Sequence, residues 1–309
     1  MRTVVSVMKR PAVAVLLFLF TWLSAGCMSR PPAPVPAQPR EPVIALALGG
    51  GGAKGFAHIG VIKVLESHGI RPQIVTGTSA GSFVGALYAS GKTPFQLQDL
   101  AFSLQESDIR DLTVSRQGFL VGQKLQDYVN QQIDNRAIQQ FPIRFAAIAT
   151  AMDTGRKTAF NKGNAGQAVR ASCSIPNVFQ PALINSVRYV DGGLVSPVPV
   201  ETAREMGADI VIAVDISARP GAGKSGIFGI LDQTLNIMGL QALQRELALA
   251  DVVIAPQVTN FGVADLEARH KTLLEGERAA QVQLAAVQQA IARFKASPAA
   301  LQPPPAARL

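Results

Sequence analysis

Two glycine-rich turns constrain this fold more than any other feature of the chain. The first is Gly49-Gly50-Gly51-Gly52-Ala53-Lys54-Gly55, and the second is Gly77-Thr78-Ser79-Ala80-Gly81. Each follows an apolar run of strand length, Val43–Leu48 and Gln73–Thr76, and each leads into a helical stretch. The first predicted helix runs from about Gly55 to His68, with Ala57, Val61, Val64 and Leu65 on one face and Gly69 ending it. The second, Ser79 to Ala89, is rich in small residues. Further strands are expected at Arg144–Thr150, Arg188–Val190, Ile210–Asp215 and Val252–Ala255. Helices are expected at Pro94–Ser103, Lys124–Ile133, Pro199–Glu205, Ile227–Leu249 and Asp265–Phe294. Such alternation predicts an α/β fold, a three-layer sandwich with a mostly parallel central sheet. With 309 residues, 48% hydrophobic, the chain is long and apolar enough to bury a large core.

Both ends differ from this body. Arg2, Lys9 and Arg10 precede an apolar stretch, Ala12 to Leu23, that is shorter than the ~18–20 residues a membrane-spanning helix needs. The pattern reads as a signal peptide over residues 1–26. Leu23-Ser24-Ala25-Gly26-Cys27 resembles a bacterial lipobox, which makes Cys27 the expected lipidation site and new N-terminus. Met28 in place of Asp implies, by analogy with such lipoproteins, the outer membrane facing the periplasm. Residues 27–42 read as a Pro-rich tether, 43–296 as the α/β domain, and 297–309 as an Ala/Pro-rich tail expected to be disordered. Losing the three basic residues of 1–26 leaves 26 basic against 21 acidic, a net +5. That excess suits an anionic lipid surface, but it is too small and too scattered for nucleic acid. Cys173 then has no intramolecular partner, and it reads as a small core residue.

The second turn carries the chemistry. A serine hydroxyl becomes a nucleophile when a sharp strand-to-helix turn holds it out toward a base, and small flanking residues such as Gly77 and Gly81 avoid the resulting clash. Ser79 is therefore the expected nucleophile. The first turn contains Gly50, Gly52 and Gly55 in dinucleotide-binding spacing, but no acidic residue closes the second strand, so no nucleotide is expected. What remains is a loop of backbone N–H groups at a helix N-terminus, Gly50, Gly51, Gly52, Ala53, Lys54 and Gly55, suited to an oxyanion. The Lys54 side chain either reinforces the positive potential or points to water. Gly223-Lys224-Ser225 imitates the end of a phosphate loop, but Ala218 stands where its first glycine belongs. No metal or cofactor is expected.

The base is less obvious. His58 and His68 precede the serine, and His270, flanked by Arg269 and Lys271, reads as a solvated helix face. Asp191-Gly192-Gly193 leaves a strand and taken alone is a turn. Beside the other two motifs, it supplies a base for a Ser79–Asp191 pair working without histidine.

The glycine loop with Lys54 and Gly55, the Gly77–Gly81 elbow and Asp191-Gly192 resemble the patatin-like phospholipases. Ala171-Ser172-Cys173-Ser174-Ile175-Pro176 and Asp153-Thr154-Gly155 are similar to that family as well. The resemblance spans roughly Val43 to Pro256. It implies a Ser79–Asp191 dyad supported by Gly192 and Gly193, an oxyanion hole from the glycine loop, and fatty acyl esters of membrane lipids as substrates. Lys54 stands where Arg is more frequent, and Ser196-Pro197 where Asn is common, so substrate preference is left open. The rival expectation is a catalytically silent lipoprotein that binds lipid or a protein partner on the same fold.

Overall fold

Alternation of large and small side chains in the first strand, β1 (Ile44–Leu48), sets the two faces of the sheet. Ile44, Leu46 and Leu48 enter one apolar cluster, whereas Ala45 and Ala47 enter another on the opposite face. A computed structural model describes residues 39–113, 118–217 and 227–309. After β1 come α1 (Phe56–Ser67), β2 (Ile74–Thr78), α2 (Ala80–Ala89), α3 (Pro94–Ser103), the single turn α4 (Glu106–Ile109) and α5 (Gln123–Gln132). Then follow β3 (Arg144–Ala151), β4 (Arg156–Phe160), α6 (Ala165–Ser172), β5 (Ala182–Ile184) and β6 (Val187–Asp191). The chain continues with α7 (Val200–Glu205), β7 (Ile210–Val214), α8 (Ile227–Ala248), β8 (Val252–Ile254) and α9 (Arg269–Lys295).

The strands form one mixed sheet in the order β5-β6-β3-β2-β1-β7-β8, with β4 beside β3. Strands β3, β2, β1, β7 and β8 are parallel, as expected, while β4, β5 and β6 make an antiparallel wing. Helices α1, α2, α3, α5, α6 and α9 cover the face of large side chains. The alanine face is covered by α7 and by Leu243 of α8. The result is three layers with a thick and a thin side. The order of strand addition reverses at β1, whose neighbours β2 and β7 come from different parts of the sequence. That reversal opens a crevice at the carboxyl ends of the parallel strands.

The body begins before residue 43. The Arg40 guanidinium holds both Asp209 carboxylate oxygens at 2.6 and 2.8 Å, and the Arg40 N–H donates to the Ala300 carbonyl at 2.9 Å. Residues 297–309, expected to be disordered from their composition, meet the body at a few points. Pro298–Leu301 makes a 3-10 turn with Ala300 buried, and the Arg308 N–H donates to Glu205 O at 2.8 Å. The Arg40 N–H donor and the Glu205 carbonyl acceptor are its backbone partners on the body, and composition does not reveal them. The 1–26 segment, Cys27 and the tether up to residue 38 lie outside the described residues, as does Gly223-Lys224-Ser225. Among the described residues, no helix is long and apolar enough to cross a membrane.

Candidate active site

Strand β2 ends at Thr78 and α2 begins at Ala80, so Ser79 alone makes the turn. Its φ of 52° and ψ of −123° lie in a region that residues with a Cβ avoid. The neighbours enforce this geometry. The Ser79 N–H donates to the Ser172 hydroxyl at 2.8 Å, which donates in turn to Ile148 O at 2.5 Å. The Ser79 carbonyl accepts from the Ser82 and Phe83 N–H groups at 2.8 and 3.1 Å. A Cβ at Gly77 would sit 2.4 Å from Gly81 O, and one at Gly81 only 2.1 Å from Leu48 O. Neither position admits a side chain.

The glycine loop leaves β1 beside this elbow because Leu48 pairs with Gly77 on one side and Val214 on the other. Its backbone is tied at several points. Gly49 N–H donates to Val214 O at 3.0 Å, Gly50 N–H to Pro197 O at 3.0 Å, and Ala53 N–H to Val263 O at 2.8 Å. Lys54 N–H reaches Gly51 O at 3.3 Å. Of the six loop positions expected to serve an oxyanion, Gly50, Ala53 and Lys54 thus spend their N–H groups on the protein. The N–H groups of Gly51 and Gly52 find no acceptor among the described residues. Gly52 has a φ of 59°, and a Cβ there would lie 2.2 Å from Val263 O. Gly55 packs its backbone on Ala80. The Lys54 side chain is fully buried, not turned to water.

Asp191 reaches the elbow through the antiparallel wing. Strand β6 pairs with β3, setting Asp191 opposite Ala149, and the Thr150 hydroxyl donates to the Asp191 carbonyl at 2.8 Å. Its carboxylate Oδ1 accepts the Gly193 N–H at 2.7 Å, while the buried Oδ2 has no fully formed hydrogen bond. Burial pushes the carboxyl up to about 6, while the nearby Ser79 hydroxyl and the Gly193 N–H pull the other way. The serine hydroxyl is therefore within influence of a base of raised proton affinity. Gly192 fits because a Cβ there would be 2.2 Å from Ile148 O.

Ser79, Asp191, Gly51 and Gly52 all face one cavity of about 460 Å³. Its walls are apolar, including Phe83, Leu120, Leu125, Val178 and Phe179, and the highly exposed Leu112 and Phe119 stand among its lining. This volume and character suit a hydrocarbon chain. Cys173, expected in the core, lies in the cavity wall, its Sγ 3.9 Å from Ser82 Oγ. Burial pushes its thiol up to about 12, so it stays protonated at neutral pH and is no nucleophile. His68 and His270 are exposed on the surface, the latter with its ring against Phe102 at 4.0 Å, and neither lines the cavity. His58 is fully buried, its Nε2 2.8 Å from Gly49 O. The parts of Ser172 and His58 in this site were not legible beforehand. Ser172 sat in a recognised stretch with no assigned role, and His58 looked like one more residue of an apolar helix.

The arrangement can accept the serine proton on Asp191, present the hydroxyl oxygen to an acyl carbonyl and receive the resulting oxyanion on two N–H groups. The chain is 36% identical over 192 residues to an NTE family protein of Mycobacterium tuberculosis, covering 60% of this chain and 53% of that one. It is 34% identical over 181 residues to lysophospholipase NTE1 of Yarrowia lipolytica, covering 57% of this chain and 13% of the relative. The chain thus spans about half the mycobacterial relative and a small part of the yeast one. The crystal structure of VipD from Legionella pneumophila shares the fold, with a TM-score of 0.53 at 14% identity over 82% of this chain and 67% of that one. The family model for patatin-like phospholipases matches residues 46–204, just over half of the chain. That match takes in the glycine loop, the Ser79 elbow and Asp191, and the chain belongs to the patatin-like phospholipase family.

Proposed function

We propose that this protein is a serine acyl hydrolase that releases fatty acids from lipid esters. The reading rests on one observation: a serine on a strained elbow shares an apolar cavity with a buried carboxylate of raised proton affinity. Asp191 takes the Ser79 proton as Oγ attacks the acyl carbonyl, and the Gly51 and Gly52 N–H groups receive the oxyanion. Collapse expels the alcohol, which regains the proton from Asp191. Water, activated by the same carboxylate, then cleaves the acyl-enzyme. The name lysophospholipase carried by the yeast relative makes lysophospholipids the first substrates to test. The Leu23–Cys27 pattern supports a lipid anchor at Cys27 in the bacterial envelope, facing the periplasm.

A fluorophosphonate probe tests the chemistry. Labelling of the wild type, its loss in Ser79→Ala, loss of esterase activity in Asp191→Asn and retained activity in His270→Ala are the expected pattern. An unlabelled, inactive wild type would leave a lipid-binding scaffold as the better description. Radiolabelled palmitate incorporation that disappears in Cys27→Ala tests the anchor.

A further inference from the structure

We infer that His58 is a positioning residue for the oxyanion-binding loop, acting through the Gly49 carbonyl. The inference rests on the hydrolase reading above. The peptide joining Gly49 to Gly50 is bonded at both ends: its carbonyl accepts from His58 Nε2–H at 2.8 Å, and its N–H donates to Pro197 O at 3.0 Å. A peptide plane held twice cannot turn without breaking both bonds. The next two N–H groups along the chain are those of Gly51 and Gly52, which meet no acceptor among the described residues and belong to residues that line the cavity with Ser79.

Four consecutive glycines have more backbone freedom to lose than any other tetrapeptide. A hole for a developing charge is effective only if its donors are already oriented. The loop therefore needs an external clamp, and His58 is well suited to provide one. It is the third residue of α1 and fully buried, so its ring is held by the helix and by packing. Burial pushes its imidazole down to about 4, which keeps it neutral at physiological pH. The proton then sits on Nε2, where the Gly49 carbonyl accepts it, and Nδ1 is left buried without a hydrogen-bond partner. A buried ring that leaves one nitrogen unsatisfied is held there at a cost, which argues that its other nitrogen matters to the site.

The test compares His58→Gln, His58→Asn and His58→Leu on a soluble p-nitrophenyl ester and on a trifluoromethyl ketone, whose adduct with serine bears the oxyanion. Glutamine carries an N–H near the position of Nε2, whereas the asparagine amide stops short of it. We expect kcat to fall about 10²-fold in His58→Leu, a loss of the size seen when an oxyanion donor is removed. KM should change little, ketone affinity should fall with kcat, and His58→Gln should recover most of both. If His58→Leu does not fold, the expected order of kcat is wild type, then glutamine, then asparagine. Equal kcat in the glutamine and asparagine variants, or a loss that only follows the melting temperature, overturns the inference. A wild type that neither hydrolyses the ester nor takes the fluorophosphonate at Ser79 instead removes the hydrolase reading beneath it.

Discussion

The backbone N–H of Ser79 donates to the hydroxyl of Ser172 across 2.8 Å, and that hydroxyl passes the bond on to the Ile148 carbonyl. One side chain from α6 thus ties the strained elbow to the neighbouring strand. In Ser172→Ala the Ser79 N–H and the Ile148 carbonyl lose a shared partner inside the core. The variant is expected to lose about 1–3 kcal/mol of stability. Its kcat should fall more than its KM rises, because Ser79 relaxes toward an ordinary backbone conformation. Urea unfolding together with steady-state kinetics checks both.

Asp191 makes activity and stability respond oppositely to pH. In the proposed mechanism Asp191 acts as the ionised base, so kcat/KM is expected to fall below about pH 6, where burial has moved the group. The folded carboxyl binds its proton more tightly than the unfolded one. The favourable contribution is therefore complete below the ordinary value of 3.8 and is lost as pH rises through about 6. Above that, the buried charge destabilises the fold by on the order of 3 kcal/mol. Asp191→Asn is expected to raise the melting temperature at pH 7.5 by roughly 5–10 °C while abolishing turnover. The gain should fade toward pH 4, and a thermal melt series across pH measures it.

Gly81 admits no methyl group. Its added Cβ would meet the Leu48 carbonyl at 2.1 Å, and that carbonyl belongs to a central strand with no room to retreat. Gly81→Ala is expected to cost about 3 kcal/mol, at the upper end for overpacking. Its yield of folded protein, followed by circular dichroism, should drop accordingly.

The cavity wall is expected to set chain-length preference. Val178→Trp would fill space beside Phe179 and Leu120 in the 460 Å³ cavity. Displacing two methylenes of an acyl chain forfeits about 0.8 kcal/mol each, so long-chain esters should lose roughly tenfold in kcat/KM relative to butyrate. A series of p-nitrophenyl esters reads the ratio directly.

Much of this architecture is local and could be read along the chain. The strands at Ile44–Leu48, followed by Gly49, and Ile74–Thr78, with Gly77 next to its end, appear within a residue or two of their expected limits. Helix α3 occupies Pro94–Ser103 as expected, its start marked by Thr93 capping the Gln96 N–H. Strands β4 and β5 and helix α6 carry no comparable signal along the chain. Arg156-Lys157-Thr158-Ala159-Phe160 is half-exposed and polar, and the three residues Ala182–Ile184 are too few to show a period.

Apolar periodicity, strand propensity and glycine-bound turns act over a few residues, so reading along the chain was enough to place the elbow and the loop. It could not show which loop N–H groups stay open, because Pro197 and Val263 take theirs from far along the chain. Nor could it show that the antiparallel pairing of β6 on β3 brings Asp191 to the cavity that Ser79 lines, or that Ser172 bonds the elbow and His58 the glycine loop. Those facts depend on strand pairing and burial. Both are properties of the assembled sheet, where residues more than a hundred positions apart come into contact.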